Sequence, residues 1–370
     1  MDYGLFTMPS HPPERNLYDG HRWDLQQLRW ADELGFSEAW IGEHHTAPWE
    51  PHPAPDLLVA QALMETSRMR IGPGGFLLPY HHPAELAHRV AMLDHLAQGR
   101  LNFGVAASGL PSDWAMFNVD GEKGANREMT REALDIILKL WAQDPPYRID
   151  GKFWKIALEK HVYPEYKVGW VPRPYQQPHP PIAISLLTPH SNSAKTAGER
   201  GFIPVSGNFF HRRYLRGHWE KYVEGCEAAG RRPDPDVWRV SRSVLVTETE
   251  AEAEDYLADP ENGLSFYYKF FHFSFSQLRK ALFMVKADLD MPDEAVTVDN
   301  IKRGMIIAGS PRHVLDQLVA LRDEVGHFGT LLMAGHDWDQ PKLWRRSMEL
   351  LTDDVMPSFV RHAAATPPKR

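Results

Sequence analysis

The 370-residue chain is 43% hydrophobic and 24% charged, enough to bury a large core and too long for a small stapled domain. A net charge of −8 argues against a nucleic-acid binder, the single Cys226 excludes an internal disulfide framework and any cysteine-built metal or iron–sulfur centre, and no apolar run has the length of a membrane span. Met1-Asp2-Tyr3-Gly4-Leu5-Phe6 has neither a basic n-region nor a long apolar stretch, so the expectation is a cytoplasmic protein without a signal peptide.

Short apolar runs alternate with amphipathic stretches along the chain. Tyr3 to Met8 reads as a first strand. A helix follows from Asp24, with Leu25, Leu28, Ala31 and Leu34 on one face and Gly35 as its stop. Strand two is Ser37 to Gly42, helix two Asp56 to Thr66, strand three Met69 to Leu77, helix three Pro83 to Leu96 and strand four Arg100 to Ala107. After a long helix, Asn126 to Ala142, the rhythm breaks. Asp150-Gly151 between aromatic flanks predicts a hairpin, and the proline-rich stretch 160–181 reads as an excursion from the core. The pattern then resumes with strands at Ile182–Leu187, Phe202–Ser206, Val237–Thr247 and Gly329–Ala334. Helices are expected at Ser191–Arg200, Arg212–Ala229, Ala251–Leu257, Pro311–Val325 and Pro341–Val355.

Strand and helix alternating eight times is the arithmetic of an α/β fold of the (β/α)8 TIM-barrel type, one domain over residues 1–370. A doubly wound sheet fits less well, since the first turn, Met8 to Pro13, has no glycine. Between strands seven and eight lies an insertion at about 261–308, with eight Phe or Tyr from Phe266 to Phe283, together with Lys269, Arg279 and Lys280. It hangs over the C-terminal mouth of a barrel, where chemistry occurs. Its aromatics are read either as a permanent wall or as a mobile lid over an apolar substrate.

Strand two runs into Gly42-Glu43-His44-His45, a carboxylate beside two imidazoles suited to acid–base work. A metal is not expected from His44, His45, His52, His81 and His82, because adjacent residues of an extended segment point to opposite sides. Gly74-Gly75 in strand three and Ala106 to Gly109 after strand four leave flat space for a planar group. Ser191-Asn192-Ser193 opens a helix, which is both a cap signature and a place for a phosphate.

Taken in order, Ala31 to Phe36, Glu43-His44-His45, Leu78-Pro79, His82-Pro83, Leu93-Asp94, Gly99-Arg100, Ala197 to Gly201, Ala308 to Pro311 and Asp354 to Pro357 make the chain resemble the bacterial luciferase-like flavin monooxygenases. Within them it is nearest the limonene and diketocamphane monooxygenase branch. The resemblance implies a TIM barrel and reduced FMN as co-substrate, made by a separate NAD(P)H:flavin reductase. It implies a flavin hydroperoxide formed with O2 that puts one oxygen atom into a small hydrophobic substrate, by hydroxylation, epoxidation or Baeyer–Villiger reaction. His44 takes the catalytic position, with Glu43 to orient it. Gly74, Gly75 and Ala106 give the isoalloxazine ring room, with a non-proline cis peptide on Gly74-Gly75. Ser108, Ser191, Asn192 and Ser193 hold the ribityl-phosphate end. Luciferase itself has cysteine and arginine where this chain has Ala106 and Ala107, so light emission is not implied. A homodimer is expected through the helices after strands two and three, on Leu57, Leu58, Ala60, Ala62, Val90, Ala91 and Leu93. Two other classes remain open at this point: a deazaflavin-dependent hydride-transfer oxidoreductase and a non-catalytic flavin-binding protein.

Overall fold

A computed structural model describes residues 1–8, 10–337 and 339–365, so Pro9 of the first turn and the last five residues of the expected domain lie outside the described residues. The barrel strands are β1 (Asp2–Thr7), β2 (Glu38–Ile41), β3 (Arg70–Pro73 and Phe76–Leu77), β4 (Phe103–Ala106), β5 (Ile182–Leu186), β6 (Ile203–Ser206), β7 (Arg239–Arg242) and β8 (Thr330–Gly335). All pair in parallel, and the ring closes because β1 pairs with β8 in the register Asp2↔Thr330. β3 is divided. Its first half pairs with β2, Glu38↔Arg70, and its second with β4, Phe76↔Val105.

Around the barrel run α1 (Leu17–Glu33), α2 (Pro55–Glu65), α3 (Pro83–Ala97), α4 (Ala125–Ala142), α5 (Asn192–Arg200), α6 (Leu215–Ala228), α7 (Pro311–Val325) and α8 (Pro341–Leu350). The period-two alternation of the strands decides which side chain faces which layer. Phe6, Trp40, Ala183, Val205 and Leu332 fill the barrel interior. Their neighbours Leu5, Ile41, Ile182, Leu331 and Met333 face the helices. At the barrel floor the Arg239 fork donates to both oxygens of Glu38, at 3.1 and 3.0 Å, and Trp40 Nε1 donates to Glu38 at 2.9 Å.

Several boundaries differ from the sequence reading, each for a local reason. α1 starts at Leu17, well before Asp24, because the Asn16 side chain accepts from the amides of Tyr18 and Asp19. Its first turn exposes Leu17 and Tyr18, so no apolar stripe announces it. The seventh strand ends at Arg242, and Val244–Val246 pairs instead with Ile307–Gly309 at the far end of the insertion. The final helix runs past Val355, through a π turn at Leu351–Val355, into Met356–Ala365. Pro357 lies just after that turn and lacks the amide a regular helix would use. The expected hairpin is present, Tyr147–Asp150 against Lys155–Leu158.

The insertion is mostly wall. Its helix Gly263–Phe273 buries Tyr267, Tyr268 and Phe271 in the core, and Phe275 follows them. Phe273, Leu278 and Phe283 stay exposed around the tip at 274–283. A lid comprising the whole aromatic segment would tear out core side chains, and even within the tip Phe275 and Leu282 are anchored in the core. No helix among the described residues is long and apolar enough to cross a membrane.

Candidate active site

The C-terminal ends of β2 to β5 and the insertion tip enclose one cavity. Glu43, His44, Gly74, Gly75, Ala106 and Ser108 line it, as the strand-end reasoning expected. Apolar walls come from Phe6, Met8, Leu77, Leu187 and Phe209, and polar groups from Ser185 and Arg279.

His44 sits between two buried carboxylates. Its Nε2 is 2.8 Å from Glu50 Oε2 and its Nδ1 is 3.8 Å from Asp113 Oδ2. Burial disfavours the charged ring, but the charges of Glu50 and Asp113 outweigh it and lift the His44 pKa to about 10. The ring is therefore an imidazolium at neutral pH, a donor rather than a base. Asp113 is itself held by Thr46, whose amide and hydroxyl donate to Oδ1 at 2.8 and 2.6 Å.

Glu43 does not orient His44. It accepts instead from His45 Nε2 at 2.7 Å, His81 Nε2 at 2.9 Å and the Leu77 amide at 3.0 Å. Burial pushes its pKa up, yet the bonds from His45 and His81 prevail and hold it below the usual carboxylate range. Consecutive residues of an extended chain face opposite ways, which separates Glu43 from His44. Glu43 thus ties the end of β2 to β3 and the turn after it.

The two glycines of β3 also have a different reason from the one expected. A Cβ on Gly75 would lie 2.4 Å from Gly104 C and Val105 N, and one on Gly74 would meet Phe6 at 2.8 Å and Trp40 at 3.0 Å. Close approach of neighbouring protein atoms demands them, while their open faces border the cavity. The peptide between them is trans. Among the described residues the cis bonds are Pro145-Pro146 and Gln177-Pro178, so the implied non-proline cis peptide is absent there. The Ser185 hydroxyl donates to the Gly74 carbonyl at 2.9 Å and steadies this crossing.

Ser108 has φ +63°, a left-handed conformation costly for a residue with a Cβ, and it is held there by neighbours. Its hydroxyl accepts from Tyr80 at 2.8 Å, and Asn126 Nδ2 donates to its carbonyl at 3.2 Å and to that of Ala107 at 3.0 Å. Ser191, Asn192 and Ser193 do not line the cavity. Ser191 is the N-cap residue of α5, with no capping bond from its side chain, four residues beyond the cavity-lining Leu187.

Glu50, Asp113, Ser185, Phe209 and Arg279 were not singled out for the site by sequence. Ser185, a polar residue within an apolar strand, and Arg279, a charge within an aromatic segment, carried a readable signal. Among the described residues His21, Asp24 and His52 bring ligand atoms within 4.8 Å of one another. Asp24 is already engaged there by His52 at 2.9 Å and by His11 at 3.2 Å.

A cavity with apolar walls, two cationic side chains and hydroxyl groups suits a reduced flavin, which is planar and anionic. The comparisons with known proteins agree in kind. Residues 1–360 match the family described as luciferase-like monooxygenase. The chain is 30% identical over 369 residues to 2,5-diketocamphane 1,2-monooxygenase 1 of Pseudomonas putida, covering 96% of this chain and 99% of that one. It is 26% identical over 372 residues to the oxygenase component of a flavin-dependent trigonelline monooxygenase from Acinetobacter baylyi, covering 97% and 96%. Among solved structures, the oxygenating constituent of 3,6-diketocamphane monooxygenase from Pseudomonas putida, a type II Baeyer–Villiger enzyme in complex with FMN, superposes with a TM-score of 0.88. The identity there is 28%, and all of both chains is covered.

Proposed function

This chain belongs to the luciferase-like monooxygenase family, and from that premise we propose that it is the FMN-dependent oxygenase of a two-component system acting on a small hydrophobic molecule. The observation that carries the reading is the imidazolium of His44, held by Glu50 and Asp113 at the edge of an otherwise apolar cavity. Bound reduced FMN supplies the electrons that divide O2, one atom going to the substrate and the other to water.

The side chains have separable tasks. His44 donates a hydrogen bond or proton to oxygen at the flavin edge. Glu50 and Asp113 keep it charged. Phe6, Leu77, Leu187 and Phe209 exclude water from the reacting centre. Gly74, Gly75 and Ala106 border the ring, and Ser108 faces the ribityl end. The free amides at the start of α5, with Ser191, Asn192 and Ser193, are assigned to the phosphate. No dinucleotide fingerprint follows a strand in the sequence, which supports delivery of the reduced flavin by a separate reductase. The relative named as an oxygenase component supports the same division of labour.

We also propose a cytoplasmic homodimer. Leu57 and Met64 on α2 and Met92 and Leu96 on α3 are exposed apolar side chains in two adjacent stripes. Of the residues named from sequence, Leu58, Ala62, Val90, Ala91 and Leu93 face the barrel instead.

The test is anaerobic titration with reduced FMN, followed by turnover with a flavin reductase under ¹⁸O2. The diketocamphane likeness makes a bicyclic ketone the first substrate to try. The reading expects tight binding of reduced FMN and one ¹⁸O in the product; a protein that binds no reduced FMN refutes it.

A further inference from the structure

We infer that Arg279, on the tip of the insertion, is a phosphate-binding residue of the flavin site and gives up its contact with Gly109 to take the 5′-phosphate. This rests on the FMN reading above. Two cations line the cavity among the described residues, His44 and Arg279. His44 is balanced by Glu50 and Asp113. Arg279 makes no ion pair among the described residues. Its guanidinium lies over the Phe275 ring, 5.6 Å from the centroid, and Nη2 donates to the Gly109 carbonyl at 3.2 Å.

Its direct contacts are thus neutral, and the carboxylate whose charge reaches it, Glu50, stands against His44. Buried Phe275 fixes the base of the side chain, while the fork remains exposed at the cavity mouth. A backbone carbonyl is a weaker acceptor for guanidinium than an anionic oxygen, and the planar fork matches a phosphate with two parallel bonds. The location is also specific. Gly109 follows Ala106, Ala107 and Ser108, a strand end that carries no cation of its own, so the insertion brings one to it from 170 residues away. Leu187, on the same cavity, leads within four residues to the free amides of α5. A dianion at this mouth would meet one fixed positive charge and one helix dipole, and the same contact would draw the insertion tip onto the bound flavin.

The experiment is anaerobic binding of reduced FMN and reduced riboflavin, by fluorescence or calorimetry, to the parent, Arg279→Ala and Arg279→Lys. Arg279→Ala is expected to weaken FMN about 10- to 100-fold, the range for one charge-assisted pair, and to leave riboflavin within about twofold. Arg279→Lys should fall between the parent and Arg279→Ala, since it keeps the charge and loses the fork. Unchanged riboflavin binding is the internal control for folding. Equal losses for both flavins, or no loss for FMN, overturn the assignment of Arg279 while leaving the FMN reading intact. A parent protein that binds neither flavin overturns both.

Discussion

Glu50→Gln isolates the charge that keeps His44 protonated. Glu50 is almost fully buried and its Oε2 stands 2.8 Å from His44 Nε2. At an effective dielectric of about 20, unit charges about 3 Å apart attract by about 5 kcal/mol. Glutamine keeps the shape and still accepts a hydrogen bond worth about 1 kcal/mol. The remaining loss of about 3 to 4 kcal/mol lowers the His44 pKa by about 2 to 3 pH units, at about 1.4 kcal/mol each. From about 10 in the parent it should fall to between about 7 and 8. Product formation at saturating reduced flavin, measured from pH 6 to 10, is the assay. The parent should be flat to about pH 9, whereas Glu50→Gln should lose activity through pH 7 to 8 as the donor is deprotonated. Asp113→Asn should act in the same direction but more weakly, since its oxygen is 3.8 Å away. Profiles of parent and Glu50→Gln that superimpose would refute the imidazolium role. Stability follows the same sign. The folded pKa lies above the ordinary 6.5, so the pairing stabilises fully below about pH 6.5 and is lost as pH rises through about 10.

Three further outcomes are expected. His11 bridges Asp24 and Asp337; burial opposes its charge, but those bonds raise its pKa to about 9, while Asp24 is lowered to about 2 despite burial by its bonds with His11 and His52. Its stabilisation should therefore fade as pH rises from about 6.5 through about 9 and that of Asp24 as pH falls from about 4 through about 2; His11→Ala should cost about 3 to 5 kcal/mol in denaturant melts, and a loss under 1 kcal/mol would contradict this. Gly75→Ala should destabilise by about 3 kcal/mol or more, because the new methyl would sit 2.4 Å from the backbone of Gly104 and Val105; wild-type melting would mean β3 shifts freely. Leu57→Lys with Met92→Lys should give a monomer by light scattering with the fold intact, and a mass equal to the parent's would place the dimer contact elsewhere.

The barrel was readable because its strands and helices repeat a period long enough to outlast local noise. Breaks in that period were harder. Pro73 stops one pairing and Phe76 begins another; Gly72-Pro73-Gly74-Gly75 marks the break in the sequence but does not say which neighbour each half pairs with. At the site, strand ends located His44, Gly74, Gly75, Ala106 and Ser108, because position along a barrel strand already decides what faces the mouth. Adjacency misled for Glu43, whose neighbour in the chain is not its neighbour in space. Glu50 and Asp113 lie in segments 63 residues apart and meet at His44 only after folding. Arg279 could be seen as a charge within an aromatic segment, but not as the residue that reaches Gly109.

The divided third strand has a consequence for how the barrel comes apart. Elsewhere around the ring one uninterrupted segment pairs with both neighbours. Here Arg70–Pro73 grips one side and Phe76–Leu77 the other, with Gly74 and Gly75 as the only covalent bridge. The second grip consists of two residue pairs, Phe76↔Val105 and Leu77↔Ala106, and one isolated bridge below them, Ile71↔Leu101. This is the seam of the cylinder. On warming, amide hydrogen exchange should begin between strands three and four, and the opening should spread from there before the wall where β1 and β8 align over six pairs gives way.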